Sequence, residues 1–458
     1  MHSEKEPIIA RASAAGRGGI GIIRLSGTQN SMLFMLGALF PDKKIKPRHA
    51  HLFSVKDAKG ELIDQAIVLF FPSPASYTGE AVVEIQAHGG PAVMQMIEAR
   101  ALEVGAAVGL RQAQPGEFSE RAFLNGRMDL AQAEAVADLI EASSQAAARA
   151  AARSLQGAFS TEVNRINQDL VELRAYIEAT IDFPEEEIDF IADGHVNERV
   201  EVIAGELETL SRNAMRGKVL RDGLTVVLVG SPNVGKSSLM NCLAREEVAI
   251  VTDIAGTTRD KIAHTINLDG FSVNLIDTAG VRHTQDTVEQ IGIERTLKAV
   301  EDADVVVHLT SADQSNRDAE REAMDLIRPR LREGVVFLQV KNKMDLVGPA
   351  SAEEDGEIIC VSARTGQGID LLVQKLKTIA GMASDTQGDF LARSRHLECI
   401  ARALEHVNLI RGGVGSRVGL DIAAEELRLA GQALGEIVGQ TLSDDLLGII
   451  FSKFCIGK

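Results

Sequence analysis

The stretch Gly-Ser-Pro-Asn-Val-Gly-Lys-Ser at residues 230–237 constrains the fold of this chain more than any other segment. It follows Leu224–Val229, an apolar run of strand length, and it precedes residues 238–244, whose composition favours a helix. Strand, glycine loop, Lys-Ser and helix in this order are typical of a phosphate-binding P-loop. The glycines let backbone N–H groups surround phosphate oxygens, and the helix N-terminus adds the positive end of its dipole. A glycine-rich turn that binds nothing is the weaker alternative, because the full eight-residue pattern is present.

The last two residues of this loop have distinct predicted roles. We expect the Lys236 ammonium to reach the β- and γ-phosphates of a nucleotide. We expect the Ser237 hydroxyl to ligate Mg²⁺. Asp277 follows a predicted strand at residues 271–276, and it is placed to hold the same Mg²⁺ through a water molecule. Gly280, three residues later, can offer its N–H to a γ-phosphate.

Two further segments predict recognition of guanine. A predicted strand at residues 335–340 leads into Asn342-Lys343-Met344-Asp345. The Asp345 carboxylate can accept hydrogen bonds from both N1–H and N2–H₂ of guanine, and adenine offers no such donor pair. A second strand, at residues 357–361, leads into Ser362-Ala363-Arg364, which we interpret as a second contact with the base. Four motifs that follow predicted strands in this order match the position of ligand sites in open α/β sheets, and they resemble the translation-factor-like class of P-loop GTPases.

Length and composition limit the remaining possibilities. At 458 residues the chain is expected to form two to four domains. Its net charge of −17 argues against a broad basic surface for nucleic acid but leaves room for a local basic patch. No run of about 18 apolar residues is present, so we predict no membrane span. The cysteines form no C-x-x-C pair, and the N-terminus shows no signal-peptide pattern. Both features favour reduced thiols in a cytoplasmic protein.

The first 120 residues or so alternate strand-like and helix-like segments, which predicts a small α+β domain. The glycine cluster at residues 16–21 is followed by a strand rather than a helix, so it predicts a tight loop between paired strands and not a dinucleotide site. Pro91 suits the first turn of a helix that ends near Val104. Arg24 and Glu84 lie inside predicted strands, and the pattern alone favours a solvated face for both.

Helical periodicity begins after Asp129 and continues to about Thr180. The acidic segment at residues 182–189 predicts either a cation or basic-partner site or, more simply, a solvated helix start. A helix is predicted from Val196 to Ala214, and residues 217–223 are predicted to be a linker. Because helical pattern resumes at residues 394–408 and 421–430, we expect one helical domain with the GTPase domain inserted at a loop. Two separate helical modules are the alternative.

The fold class is therefore multidomain α/β. We predict an N-terminal α+β domain, a central all-α helical domain and an inserted Ras-like P-loop GTPase domain with a doubly wound α/β sheet. The predicted boundaries are 1–122 for the N-terminal domain, 123–218 and 381–458 for the two parts of the helical domain, and 219–380 for the GTPase domain.

The segment after Asp277 raises the question of how water is activated. Val281 occupies the position where many small GTPases place a glutamine, and valine cannot orient water. Candidates to replace it are Arg282, His283, Glu289 and Glu294, or these residues simply lie on a solvated loop and helix. Asn233, inside the P-loop, has a side-chain oxygen that can ligate a monovalent cation. In the expected first switch, residues 252–260, Thr258 is the predicted Mg²⁺ ligand, and carbonyls near Thr252 and Ile254 can complete a K⁺ site.

Together these features resemble the MnmE (TrmE) family of bacterial tRNA-modification GTPases over the whole chain. Besides the GTPase motifs, the resemblance rests on the segments at residues 14–19, 77–80, 88–91, 115–125 and 454–458. It implies a homodimer joined through N-terminal domains that bind a tetrahydrofolate, in its 5-formyl or 5,10-methylene form. The implied folate contacts are Arg24, Glu84, Arg127 and Lys458. Arg127 stands where some members have lysine, so its charge is the same but its geometry differs. The resemblance also reverses the interpretation that Arg24 and Glu84 lie on a solvated face.

The resemblance also implies how the GTPase works. K⁺ would be held by Asn233, Thr252, Ile254 and Thr257, and Glu289 would orient the attacking water. The flavoprotein MnmG would be the partner in modifying the wobble uridine of certain tRNAs at C5 with an aminomethyl or carboxymethylaminomethyl group. Cys455 is implied as a chemically active cysteine, so the expected catalytic set is Glu289, Lys236 and Cys455.

The complete prediction for the nucleotide site follows from these motifs. The residues expected to contact GTP are Asn233, Val234, Gly235, Lys236, Ser237, Ser238, Thr252, Asp253, Ile254, Ala255, Gly256, Thr257, Thr258, Asp277, Thr278, Ala279, Gly280, Asn342, Lys343, Asp345, Ser362, Ala363 and Arg364. Neither a membrane nor DNA is expected as a partner. The alternative function is a GTP-dependent assembly or signalling switch that takes no part in tRNA chemistry, and folate binding by the N-terminal domain distinguishes the two.

Overall fold

The computed structural model describes residues 6–182, 194–245, 263–268, 271–277, 294, 296–312, 321, 324–332, 335–347, 358–381, 390–441 and 444–457. The chain divides into two compact units. The first comprises residues 1–137, 155–171 and 431–458, and the second comprises residues 138–154 and 172–430. The domain boundaries given above stay predictions.

Two sheets and a set of helices make up these units. The strands are β1 Ile8–Arg11, β2 Gly21–Gly27, β3 His51–Lys56, β4 Leu62–Phe71, β5 Ala81–Ala87, β6 Arg111–Gln112, β7 Leu224–Val229, β8 Ala263–Leu268, β9 Phe271–Asp277, β10 Val305–Ser311, β11 Val336–Asn342 and β12 Ile358–Cys360. The helices with described bounds are α1 Gln29–Leu39, α2 Pro91–Gly105, α3 Glu117–Leu124, α4 Leu130–Glu141, α5 Gln145–Leu155, α6 Ala158–Asp182, α7 Val196–Asp222, α8 Lys236–Arg245, α9 Ile369–Ile379, α10 Ser394–Ile410, α11 Leu420–Val438 and α12 Asp444–Ser452.

The first unit is built on a sheet with the strand order β3-β4-β5-β2-β1-β6. All neighbours are antiparallel except β1 and β6. Alternating apolar residues of the central strands, such as Ile23, Leu25 and Ile85, are fully buried in a core shared with α1 and α2. The predicted α+β domain, the tight glycine loop between paired strands and the helix starting at Pro91 are confirmed.

Arg24 and Glu84, which the sequence pattern placed on a solvated face, lie on the face of this sheet opposite the core formed with α1 and α2. Arg24 of β2 is paired in register with Glu84 of β5, and their side chains are only 17% and 16% exposed. The solvated-face interpretation is therefore wrong for both residues. Its physical reason lies in α3, because Phe118 of that helix is fully buried against Ile8 and Ala10 on this face of the sheet.

The second unit contains a sheet with the order β12-β11-β10-β7-β9-β8, in which only the edge strand β8 is antiparallel. Its central strands are almost continuously apolar, as expected when both faces are covered. Side chains such as Val226 and Leu228 pack into one core, and Val227 and Val229 pack into another on the opposite face. The predicted doubly wound α/β sheet is confirmed, and the carboxyl ends of its parallel strands share one edge.

The helical prediction holds in part. The predicted helical run to Thr180 is three helices, α4, α5 and α6, because Ser144 caps the N-terminus of α5 and Gly157 has a φ of +90° before α6. In the second unit α7 packs along α10. Residues 183–189 of the acidic segment lie outside the described residues, and Asp182 is the last residue of α6.

The predicted linker at residues 217–223 is wrong. Helix α7 continues to Asp222, so only Gly223 separates it from β7. Gly217 serves close packing rather than flexibility, since a Cβ atom there would lie 2.2 Å from the carbonyl oxygen of Phe390. The same connection is held by Asp138, whose buried carboxylate accepts hydrogen bonds from Arg221 at 2.8 Å and from Arg393 at 2.7 Å.

Candidate functional site

The loop after β7 adopts a conformation that requires its glycines. Gly230 and Gly235 have φ values of +153° and +97°. A Cβ atom at Gly230 would lie 2.3 Å from the carbonyl oxygen of Leu309, and one at Gly235 would lie 2.3 Å from Nδ2 of Asn342. Asn233 also has a left-handed backbone, with a φ of +65°, which asparagine tolerates better than most residues.

The lysine of the loop begins α8 and is only 9% exposed. Its Nζ donates to the carbonyl oxygens of Gly230 at 2.8 Å and Ser231 at 3.2 Å. The ammonium group of Lys236 is thus held within the loop whose backbone N–H groups would meet a phosphate. Ser237 follows at the N-terminal turn of α8, where the helix dipole favours an anion.

Asn342 connects the P-loop with the loop after β12. Its side chain is 2% exposed, Nδ2 donates to the carbonyl oxygen of Val234 at 2.9 Å, and Oδ1 accepts from the backbone N–H of Ala363 at 3.0 Å. The amide side chain therefore fixes the loop at the phosphate end against a loop predicted to contact the base. The residue was predicted as a GTP contact, but this bridging contact was not predicted.

Asp345 belongs to one of the two loops expected to bind the base and contacts the other. Its Oδ1 accepts from the Ser362 hydroxyl at 2.8 Å, and Arg364, which is 83% exposed, lies 3.9 Å from Oδ2. The preceding Lys343 has a φ of +65°, and the backbone N–H of Met344 donates to the carbonyl oxygen of Val361 at 3.2 Å. These contacts orient the carboxylate and leave its second oxygen near the solvent-exposed Arg364.

The residues suited to Mg²⁺ come from neighbouring strands. Asp277 ends β9 and is paired in register with Leu228 of β7, whose following loop leads to Ser237. The backbone of Asp277 and the P-loop thus follow adjacent carboxyl ends of the sheet, and the role of Asp277 and Ser237 at Mg²⁺ stays a prediction. Within the described residues no group of three or more His, Cys, Asp or Glu side chains is placed to hold a metal ion.

Several predicted site residues lie outside the described residues, and their roles stay predictions. They are Thr252, Asp253, Ile254, Ala255, Gly256, Thr257, Thr258, Thr278, Ala279, Gly280, Glu289 and Lys458.

A second cluster of polar residues lies in the first unit around Arg24. Its Nε donates to Glu84 Oε1 at 2.9 Å, and its guanidinium lies over the rings of Tyr77 and Phe118, with distances of 5.3 Å and 5.9 Å to their centroids. Nη1 donates to the carbonyl oxygen of Gly457 at 3.4 Å. Aromatic and carboxylate neighbours thus hold the guanidinium group of Arg24 in one orientation.

Tyr77 belongs to the loop between β4 and β5, which is held by polar contacts with α3. Burial raises the pKa of Tyr77, whose hydroxyl shares a hydrogen bond of 2.8 Å with Ser119. Burial opposes the charge of Glu117, but hydrogen bonds from Arg111, the Gln114 backbone and Arg121 lower the pKa of its carboxyl to about 2. The Glu117 carboxylate lies 2.8 Å from Arg121, and Arg121 in turn binds Glu80, which ends this loop, at 3.0 Å.

The remaining predicted residues of this region border the same loop and the C-terminal segment. Arg127 is exposed, and its aliphatic part lies close to Gly79. Cys455 is exposed, and its carbonyl oxygen accepts from the backbone N–H of Gly116 at 3.3 Å. The C-terminal segment is therefore packed within the first unit. Gly457 packs tightly there, since a Cβ atom would lie 2.1 Å from the carbonyl oxygen of Arg11.

Sequence reasoning missed the contacts of three residues in this cluster. Tyr77 and Phe118 lie in segments that carried the family resemblance, but no role was assigned to either, and Gly457 was not singled out. An aromatic residue in such a segment was the available signal, because an arginine placed in a strand needs a neighbour that covers it without removing its charge.

The parallel sheet, the P-loop at its carboxyl edge and the Asn-Lys-x-Asp loop bound to the Ser-Ala-Arg loop define a P-loop GTPase. Residues 7–127 match the protein family described as GTP-binding protein TrmE N-terminus, and residues 130–455 match the one described as MnmE helical domain. The chain therefore belongs to the MnmE (TrmE) family.

Curated relatives resemble the chain along its whole length. It is 50% identical to the tRNA modification GTPase MnmE of Burkholderia cenocepacia, with 100% of both chains covered. It is 50% identical to that of Aromatoleum aromaticum over 98% of both chains, and 49% identical to that of Pseudomonas aeruginosa over 100% of both. Among solved structures, it is similar to Era of Aquifex aeolicus at 27% identity, over 42% of this chain and 69% of that chain, with a TM-score of 0.28.

Proposed function

We propose that this protein hydrolyses GTP to GDP and uses that reaction in modifying tRNA. The observation that carries the proposal is the Asn342 side chain, which joins the P-loop to the loop after β12 through hydrogen bonds of 2.9 Å and 3.0 Å. A single nucleotide that contacts both loops is the ligand this connection suits. The curated relatives, each 49–50% identical over nearly the full chain, are by name tRNA modification GTPases.

Each end of the nucleotide has its own determinants. At the phosphate end, Lys236 would turn from the loop carbonyls to the β- and γ-phosphates, and Ser237 with Thr258 would ligate Mg²⁺. Mg²⁺ would neutralise charge that develops between the β- and γ-phosphates. At the base end, the Asp345 carboxylate would accept hydrogen bonds from guanine. The Ser362 hydroxyl donates to Oδ1 of the same carboxylate and so orients it. The Asp345 carboxylate selects GTP over ATP because adenine has no matching donor pair.

Water activation and K⁺ dependence belong to the proposal as well. Glu289 would orient the attacking water, and K⁺ would be held by Asn233 together with Thr252, Ile254 and Thr257. The support from the described part of the chain is Asn233, which is exposed on the P-loop with a left-handed backbone. A cation there would supply positive charge near the phosphates, where other GTPases use an arginine.

Comparing GTP turnover in KCl and NaCl at equal ionic strength tests this mechanism directly. We expect strong stimulation by K⁺, and we expect Glu289→Ala to lose about 100-fold in turnover, the usual contribution of a residue that positions or activates water. Glu294→Ala is the matched control, since Glu294 is an exposed carboxylate close by in the sequence, and it should retain turnover. Equal rates in the two salts would show that the cation assignment is wrong and would favour the simple GTP-dependent switch.

The first unit is proposed to bind a tetrahydrofolate, as the 5-formyl or 5,10-methylene form, at Arg24, Glu84, Arg127 and Lys458. The support is the pairing of Arg24 with Glu84, which offers N–H donors and carboxylate acceptors beside the rings of Tyr77 and Phe118. The bound folate would supply a one-carbon unit. The protein's own residues would hold and orient this folate. Cys455, which lies on the same C-terminal segment as Lys458, would be the chemically active cysteine.

The remaining parts of the proposal concern partners and place. We propose a homodimer joined through the N-terminal domains and a complex with the flavoprotein MnmG that modifies the wobble uridine at C5 with an aminomethyl or carboxymethylaminomethyl group. We place this activity in the cytoplasm. No helix in the described ranges is long and apolar enough to cross a membrane.

A further inference from the structure

A short basic loop precedes the edge strand of the first sheet. The basic loop, defined as residues 41–50, carries Lys43, Lys44, Lys46 and Arg48 against a single acidic residue, Asp42. Every residue of the loop is exposed except Ile45, which is half-buried. The loop is therefore locally basic in a protein whose net charge is −17, which makes it a candidate surface for an anionic partner.

The basic loop is held in a fixed position on the sheet. Ile45 packs against the core of the first unit, and the backbone N–H of Arg48 donates to the carbonyl oxygen of Phe70 at 2.9 Å. The Arg48 guanidinium lies 5.6 Å over the ring of Phe71 and donates to the carbonyl oxygen of Ala75. His51 Nε2 accepts from the backbone N–H of Lys46 at 3.0 Å. Arg48 therefore anchors the loop, and the three lysines present their charges to solvent.

The charges of these lysines are available. None of Lys43, Lys44 and Lys46 forms an ion pair with any residue in the described ranges. In the turn after β3, Lys56 and Lys59 alternate with Asp57 and Glu61, so the local net charge of that turn is close to zero. The basic loop therefore carries the larger net positive charge of the two segments.

Arg393 and Arg411, which flank α10, are less suitable as a basic surface. Arg393, the residue before α10, binds the buried carboxylate of Asp138 at 2.7 Å. Arg411, which follows α10, binds Glu201 at 2.8 Å and Glu208 at 3.0 Å. Their charges are already matched within the second unit, so an RNA phosphate would have to compete with carboxylates for them.

We propose that the basic loop binds the phosphate backbone of the tRNA substrate, an inference that rests on the proposed function in tRNA modification. Lysine ammonium groups act as point charges that release counterions from a polyanion without reading its bases. The loop would therefore position the tRNA and leave base recognition to other contacts. Its anchoring by Arg48 and Ile45 lowers the conformational cost of presenting three charges together.

Charge removal at constant fold tests this surface. The triple variant Lys43→Gln, Lys44→Gln, Lys46→Gln is compared with the control Arg212→Gln, Lys298→Gln, Lys375→Gln, which removes the same charge from exposed positions elsewhere. Binding of fluorescently labelled, unfractionated bacterial tRNA to the full-length protein is measured by anisotropy from about 50 to 200 mM KCl. Urea unfolding followed by circular dichroism reports that each variant is folded, and GTP turnover without tRNA reports the state of the second unit.

The outcomes separate the docking surface from the proposed function. We expect the loop variant to bind at least about tenfold more weakly at 50 mM salt, with the slope of log K against log salt reduced by about 2 to 3, while the control matches the wild type. Equal binding by all three proteins would overturn the basic loop as the docking surface and leave the tRNA function standing. If the wild-type protein binds no tRNA, both the docking surface and the proposed function in tRNA modification are contradicted. Unchanged tRNA affinity together with lost modification activity would assign the loop to a protein partner instead.

Discussion

His308 on β10 is a buried histidine that should make the stability of the GTPase sheet depend on pH. Its side chain is stacked with the ring of Phe337, at 6.0 Å between centroids, and Nε2 has no hydrogen-bond partner among the described residues. Burial lowers the pKa of His308, and the charge of Arg328 lowers it further. The neutral ring is therefore the form that the folded protein accommodates.

The sign of the resulting pH dependence follows from this direction. In the unfolded chain His308 takes up a proton below about pH 6.5, whereas in the folded protein it does so only at lower pH. The free energy of unfolding should be highest above about pH 6.5 and fall as the pH is lowered from there. We expect His308→Phe to flatten this dependence between about pH 7 and 5 in urea titrations, and His195→Gln, which alters an exposed histidine, to leave it unchanged. A slope that His308→Phe does not alter would assign the dependence to other groups.

The residue scale also shows where sequence reasoning stops. The nucleotide motifs could be predicted because each is contiguous and follows a strand. The surroundings of Arg24 could not, because Tyr77, Phe118 and Gly457 are separated from it by 53 to 433 positions and meet it only after folding. The alternation in β2 correctly places Arg24 opposite the buried Ile23 and Leu25, but it cannot reveal that α3 covers that face.

Among the elements, α7 explains why a plausible linker was predicted wrongly. Glycine at both ends of residues 217–223 suggested a connection without regular structure, yet Lys218, Leu220 and Arg221 are good helix formers and the helix continues to Asp222. Gly217 is present because the backbone at Phe390 and Ala392 passes directly against it. Only tertiary structure distinguishes a glycine that permits close packing from one that ends a helix.

Two glycines of α7 give a matched test of this explanation. In a helix, alanine is favoured over glycine by about 1 kcal/mol. At Gly205 a Cβ atom would have nothing within 4 Å, so Gly205→Ala should raise stability by up to about that amount. At Gly217 it would lie 2.2 Å from a backbone oxygen, so Gly217→Ala should lower stability by about 1 to 3 kcal/mol through overpacking. Urea unfolding followed by circular dichroism measures both, and a stabilised Gly217→Ala would contradict the packing role.

At the scale of the whole molecule, two sites of different chemistry are each assembled within one compact unit. The nucleotide loops all belong to the second unit, and Arg24, Glu84, Tyr77 and the C-terminal segment all belong to the first. Among the described residues, Asn342 joins two nucleotide loops of the second unit, and Gly457 contacts Arg24 within the first unit. Ligand binding at each site should therefore survive loss of the other.

Paired variants make this separation measurable. Arg24→Gln should weaken binding of 5-formyltetrahydrofolate, measured by calorimetry, by about tenfold or more, because it removes a charged partner of the ligand, and it should leave GTP turnover unchanged. Lys236→Ala should lose GTP turnover by about 100-fold or more and retain folate affinity. Both should abolish tRNA modification reconstituted with MnmG, since we propose that GTP hydrolysis supplies a conformational change and folate supplies the carbon. Modification that persists in Lys236→Ala would show that GTP hydrolysis is dispensable, and undetectable folate binding by the wild-type protein would favour the assembly switch.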